Sequence, residues 1–146
     1  MAPDAVYEIS TDPSRLDLDV IHGFLSRSYW SPGIPREVVA RALRNSLCCG
    51  AYCHGAQVGF ARVVSDRATF AYLADVFVLE SHRGRGVSKL LMQCLLAHPD
   101  LQGLRRWSLA TRDAHGLYRH FGFVPLANPE RHMEILRPDI YRTRAK

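Results

Sequence analysis

The sequence predicts one mixed α/β domain: a central, twisted, mostly antiparallel sheet of about seven strands flanked by about four helices. Three observations carry this expectation. Strand-like stretches rich in Val, Phe, Tyr and Cys follow one another across residues 48–79, separated only by short turns. A glycine-spaced basic turn then runs directly into a stretch with apolar residues at helical spacing from Val87. Beyond it strand and helix patterns alternate, and no repeat, linker or low-complexity segment interrupts residues 1–146.

Taken in order, Val6-Tyr7-Glu8-Ile9 alternates like a short strand, and Leu16 to Ser26 carries apolar residues close to a helical stripe. Two prolines and a glycine in Trp30-Ser31-Pro32-Gly33-Ile34-Pro35 forbid regular structure there. Pro35 suits the first turn of a second helix, with Val38, Val39, Leu43 and Leu47 on its apolar face. Residues 48–53 and 57–64 read as a hairpin about His54-Gly55-Ala56, and Asp66-Arg67 turns the chain into a strand over 69–79. A helix over 87–96 stops at His98-Pro99; residues 107–111 read as a fifth strand and 113–121 as a short helix closed by Gly122. Phe123-Val124-Pro125 and Met133-Glu134-Ile135-Leu136 complete the predicted sheet.

At 146 residues the chain can bury a core without disulfides or metal. With 47% apolar and 23% charged residues it has a globular composition and not a disordered one. The first residues lack a signal-peptide pattern, and no apolar run approaches the roughly 18 residues of a membrane span, so a cytoplasmic protein without membrane contact is expected. Cys48, Cys49, Cys53 and Cys94 match no zinc spacing and read as reduced thiols, with no metal expected. The formal charge of +5 suits either nucleic acid or a small phosphorylated anion. The basic residues form short groups and are not interleaved with aromatics, so no nucleic-acid partner is expected.

The chemistry concentrates in Ser81-His82-Arg83-Gly84-Arg85-Gly86-Val87-Ser88-Lys89, between strand and helix. A helix start presents unpaired N–H groups and partial positive charge, which together attract phosphate oxygens. Gly84 and Gly86 let a pyrophosphate approach the backbone, while Arg83, Arg85 and Lys89 add pairing charge. Neither a Walker loop nor a three-glycine dinucleotide fingerprint is present. The bland alternative is a strand-to-helix turn carrying solubilising arginines.

A second segment, Ser108 to Phe123, holds a tyrosine near the end of a short helix and then Gly122-Phe123. Together the two segments resemble the GNAT superfamily of N-acetyltransferases. Its Arg/Gln-x-x-Gly-x-Gly/Ala pattern is met by Arg83 and Gly86 with Ser88 as the departure, and its Leu-Tyr-x-x-x-Gly-Phe pattern is met by Leu117, Tyr118, Gly122 and Phe123. The resemblance implies a GNAT-like fold, acetyl-CoA as cosubstrate, and transfer of acetyl to a primary amine by direct attack in a ternary complex.

Residue by residue, the resemblance puts pyrophosphate on the amides from Arg83 through Gly84, Arg85, Gly86, Val87 and Ser88 to Lys89, and pantetheine along Phe77 and Val78. Thr111 stands where many relatives have a pantetheine-contacting asparagine. Tyr118 becomes the candidate acid for the departing thiolate. Asp75, with Ala74 where small polyamine acetyltransferases carry Glu, reads equally as a base acting through water, an anchor for a cationic amine, or a structural acceptor. Tyr29 and Trp30, with Tyr72 opposite, can wall the acceptor site, for a small-molecule or peptide amine. A monomer or homodimer is expected; the competing reading is a non-catalytic acyl-CoA-binding regulatory module.

Overall fold

A computed structural model describes residues 6–144. Residues 1–5, on which the signal-peptide reading rests, and Lys146 of the basic tail lie outside the described residues. The described chain forms one sheet in the order β1 (Tyr7–Ser10), β2 (Leu47–Cys53), β3 (Ala56–Ser65), β4 (Phe70–Val78), β5 (Arg106–Leu109). The first four strands pair antiparallel and β5 joins β4 in parallel. Helices α1 (Leu18–Leu25), α2 (Arg36–Arg44), α3 (Val87–Ala97), α4 (His115–Arg119) and α5 (Ile140–Arg144) complete the elements. The mixed α/β class agrees with the sequence expectation.

Local signals explain most boundaries. Asp17 caps α1 by accepting from the Val20 N–H, which leaves Leu16 outside the helix. Pro35 stands one position earlier than expected, as the extended residue before α2. Leu47 begins β2 and does not belong to α2. His54 and Gly55, both at positive φ, make the tight two-residue hairpin turn.

All seven residues of β2 are buried, because apolar clusters cover both faces of the sheet. One face packs under α3 through Leu47, Cys49, Ala61, Val63, Leu91 and Leu95. The other packs under α1 and α2 through Ile21, Leu25, Val39, Cys48, Phe60 and Phe77. Gly59 lets α3 come close: a Cβ there would meet Ala51 Cβ and Val87 Cγ1 at 3.2 Å each.

The sheet has five strands and not about seven. Residues 123–125 and 133–136 take no strand, and α5 was not anticipated. Pro125 has no N–H for a ladder, and Pro129 starts a 3-10 turn over Pro129–Arg131. Residues 133–136 keep an alternating pattern with no strand beside them, so Met133 and Ile135 are 96% and 85% exposed. β5 is also shorter than expected, ending at Leu109, so residues 110–114 leave the sheet.

Candidate active site

Two openings in the fold frame the site. The first comes from β4 and β5, which pair only from Phe70↔Arg106 to Leu73↔Leu109. β4 continues to Val78 while the chain after β5 turns away into α4, and a cavity of about 420 Å³ fills the gap. The second lies where β4 leads through a 3-10 turn, Glu80–His82, into α3.

A bulge shapes β4. Its register on β3 jumps from Arg62↔Asp75 to Val63↔Leu73, so Ala74 is an extra residue. Asp75 is thereby carried to the sheet face that Tyr72 occupies, although strict alternation would separate them. Leu79 donates to Val58 O, which sets the ladder phase: Phe77 and Asp75 point their main-chain groups toward β3. Val76 and Val78 therefore point theirs into the gap. The polar edge along the gap belongs to Val76 and Val78, and not to Phe77, whose ring stacks on Phe24 at 4.1 Å inside the core. Val76 was missed because its selection depends on ladder phase.

At the start of α3, Gly84 and Gly86 have φ of 77° and 79°. A side chain is strained in that conformation, so glycine is favoured at both. Among the described residues, the main-chain N–H groups of 84–89 donate to no protein acceptor; the first helical bond is Leu90 N–H to Gly86 O. Val87 is buried against the sheet and anchors the turn, while Gly84, Arg85, Gly86 and Lys89 are exposed. Arg83 differs from its expected role. Its N–H donates to Glu80 O and its Nε to Val78 O at 3.0 Å, so its amide is taken while its guanidinium stays at the rim. The His82 ring lies 2.9 Å from the Tyr7 hydroxyl, which ties the turn to β1. These six unpaired amides, open space at both glycines and three basic side chains fit a pyrophosphate.

Tyr118 lines the 420 Å³ cavity. Burial, with a smaller contribution from Tyr29, pushes its phenol up to about 12. Thr111 also lines the cavity, and its Oγ1 accepts from the Ala114 N–H at 3.1 Å, bracing the turn into α4.

The aromatic residues expected to wall the acceptor come together. Tyr29, Trp30 and Tyr72 line the same cavity, and Tyr29 meets Trp30 edge-on at 5.1 Å. The Arg112 guanidinium covers the Tyr29 ring at 3.9 Å, and the Arg112 N–H donates to the Tyr29 hydroxyl at 3.1 Å. One face of that ring is thus already occupied by a cation.

Asp75 does not line the cavity. Its side chain is 8% exposed, and both oxygens are engaged, Oδ1 by Trp30 Nε1 and Oδ2 by Arg62 Nε, each at 2.7 Å. Arg62 also donates to Ser46 Oγ. Of the three roles open in the sequence, this geometry is that of a structural acceptor that positions Trp30. Arg62 carries no motif and was missed, since only the cross-strand register reveals the pair.

The site is thus a mixed α/β sheet that splits beside a bulged strand, with a run of free amides at the start of α3 and a cavity in the split. The comparisons narrow its class. Residues 44–125 match the family model described as an acetyltransferase (GNAT) domain. A curated Gibberella zeae protein named as a putative acetyltransferase is 35% identical over 135 residues, covering 77% of this chain and 75% of its own. A crystal structure from Xanthomonas campestris pv. campestris, of a protein assigned to the GNAT family, shares 55% identity. It superimposes with a TM-score of 0.92, over 95% of this chain and 99% of its own. An aminoglycoside N-acetyltransferase solved with CoA shares the fold at a TM-score of 0.67 with 18% identity, covering 94% of this chain and 97% of its own. The chain belongs to the GNAT acetyltransferase family. No helix among the described residues is long and apolar enough to cross a membrane.

Proposed function

We propose that this protein transfers the acetyl group of acetyl-CoA to a primary amine, by direct attack with both substrates bound. The observation that carries the reading is the run of unpaired amides over 84–89, opening below the β4–β5 gap. The fold neighbour solved with CoA supports the same cosubstrate. Acetyl-CoA supplies an activated thioester.

The residues divide the work. The amides of 84–89, with Arg85, Lys89 and the Arg83 rim, hold pyrophosphate. Main-chain groups of Val76 and Val78 and the Thr111 hydroxyl hold the pantetheine arm along the gap. The Val76 N–H faces the gap and can donate to a carbonyl oxygen as it becomes negative. Tyr118 donates a hydrogen bond to the leaving sulfur. An ordinary thiol loses its proton near 8.5, so a phenol near 12 keeps its own and stabilises the thiolate without being consumed. Tyr29, Trp30 and Tyr72 wall the amine, whose proton leaves through water. Asp75 acts at one remove, by fixing Trp30.

The test is free-thiol release from acetyl-CoA with a panel of primary amines. Release above hydrolysis is expected with at least one amine, and Tyr118→Phe should lower kcat about ten- to a hundredfold, the worth of a hydrogen bond to a charged atom. Because Asp75 is fully engaged, a binding module that holds acyl-CoA without turnover is the second reading. Calorimetric CoA binding without thiol release would favour it, and absent CoA binding would reject both.

A further inference from the structure

The cavity in the β4–β5 gap carries one charged arrangement that the proposed reaction leaves without a task. β5 ends at Leu109, and the chain leaving the sheet is held at two points. Thr111 Oγ1 accepts from the Ala114 N–H, and the Arg112 N–H donates to the Tyr29 hydroxyl at 3.1 Å. That second bond joins residues 83 positions apart and fixes Arg112 against the loop that follows α1. With its main chain held there, Arg112 lays its guanidinium over the Tyr29 ring at 3.9 Å. Contact with a ring uses the charge of a guanidinium and none of its five N–H donors. Asp113 lies beside it at 3.9 Å, beyond hydrogen-bond reach, and the Arg112 side chain is 65% exposed. Among the described residues, the donors of this guanidinium meet no acceptor.

The same cavity offers little to a second positive charge. Asp75 does not line it and is engaged by Trp30 and Arg62. One face of Tyr29 already holds Arg112. Asp113 is the acidic side chain of the described lining, and Arg112 stands next to it. Trp30, Tyr72, Leu73, Val76 and Leu109 make the rest of the wall largely apolar. At about 420 Å³ the space is of small-molecule size. An attacking amine must be neutral and needs no acid to hold it there. A carboxylate on the same molecule does need a cation, and Arg112 is placed to supply it.

We propose that the acceptor is an amine that also bears a carboxylate on an apolar body, the chemistry of an apolar or aromatic α-amino acid, with Arg112 binding the carboxylate. The assignment rests on the reading of the chain as an acetyl-CoA-dependent amine acetyltransferase and deepens it. A guanidinium meets a carboxylate through two parallel N–H donors, which orients the acceptor as well as holding it. The pair fixes one end of the acceptor at the rim, the apolar wall takes its side chain, and the amine is left to reach the thioester. The amine nitrogen bonds to the acetyl carbon, the C–S bond breaks with its electron pair on sulfur, and the proton lost by nitrogen passes through water to neutralise the thiolate. The products are an N-acetyl amino acid and CoA. Polyamines are disfavoured by the same features, because further ammonium groups would face Arg112 with no buried acid in the described lining to offset the repulsion.

The test measures free-thiol release with L-phenylalanine and L-leucine, each against its carboxamide and its decarboxylated amine, and with spermidine as the polycation. The amine of the carboxamide is less basic than that of the amino acid, and the decarboxylated amine is more basic. A preference over both therefore cannot come from basicity. At least one amino acid should show a kcat/KM about ten- to a hundredfold above both of its analogues. Arg112→Gln should bring that ratio to within about twofold of unity. The ratio is taken within one variant, so a general loss of activity cancels, and the exposed position lets the variant fold. Equal turnover of acid, amide and amine, faster turnover of spermidine, or a preference that survives Arg112→Gln overturns the assignment while leaving amine acetylation standing. Absence of thiol release with every amine overturns both.

Discussion

Asp75 is the residue on which the acceptor side turns. It is buried, so its charge is tolerated only through Arg62 and Trp30. Asp75→Asn keeps the shape but strands the Arg62 guanidinium, and a loss of about 3 kcal/mol in denaturant unfolding is expected. Tyr118 gives a pH prediction. Its phenol titrates near 12 folded against about 10 in an unfolded chain, so between those values the folded state binds more protons. That contribution is intact below pH 10 and is lost as pH rises through 12. Melting temperature should fall over that window, and less steeply for Tyr118→Phe. The place of Tyr118 beside the cavity was legible because a local motif carries it. The partners of Asp75 were not, because a one-residue bulge decides which face it shares.

At the scale of elements, the cradle is a joint between β4 and α3, held by two glycines and one close approach. Gly86→Ala puts a Cβ on a residue at φ 79° in open space, costing roughly 1 kcal/mol in backbone strain and turning the amides off line. A roughly tenfold rise in KM for acetyl-CoA is expected, with kcat at saturation little changed. Gly59→Ala acts from below: its Cβ would press on Val87 at 3.2 Å and lift the first turn of α3. Lower CoA affinity together with a lower melting temperature is expected. The joint was legible because positive-φ glycines ahead of an apolar-faced helix leave a local trace. The last two strands were misread for the converse reason: alternation marks a segment able to be a strand, and 133–136 has no strand beside it among the described residues.

For the whole molecule, the net charge of +5 is spread in short groups, and the cradle offers the one run of free amides described above. KM for acetyl-CoA should therefore climb several-fold as ionic strength rises from about 0.05 to 0.5 M, as screening weakens the approach of a polyanion. A value flat in salt would mean that apolar contact with the pantetheine arm dominates. The class of the fold was readable throughout, since each helix and each of the five strands has a pattern within its own residues, α5 excepted. What lay beyond reading was set by distance along the chain. Trp30 and Asp75 are 45 positions apart, and their bond fastens the loop between the first two helices to the bulged strand. That fastening bears on how such a protein diversifies. The indole is bound to the scaffold through Asp75 and its exchange damages the framework, and Tyr29 is tied to Arg112, whereas Tyr72 is partly open on the strand surface and can be traded cheaply. Libraries seeking a new acceptor should begin at Tyr72 and spare the tryptophan and Tyr29.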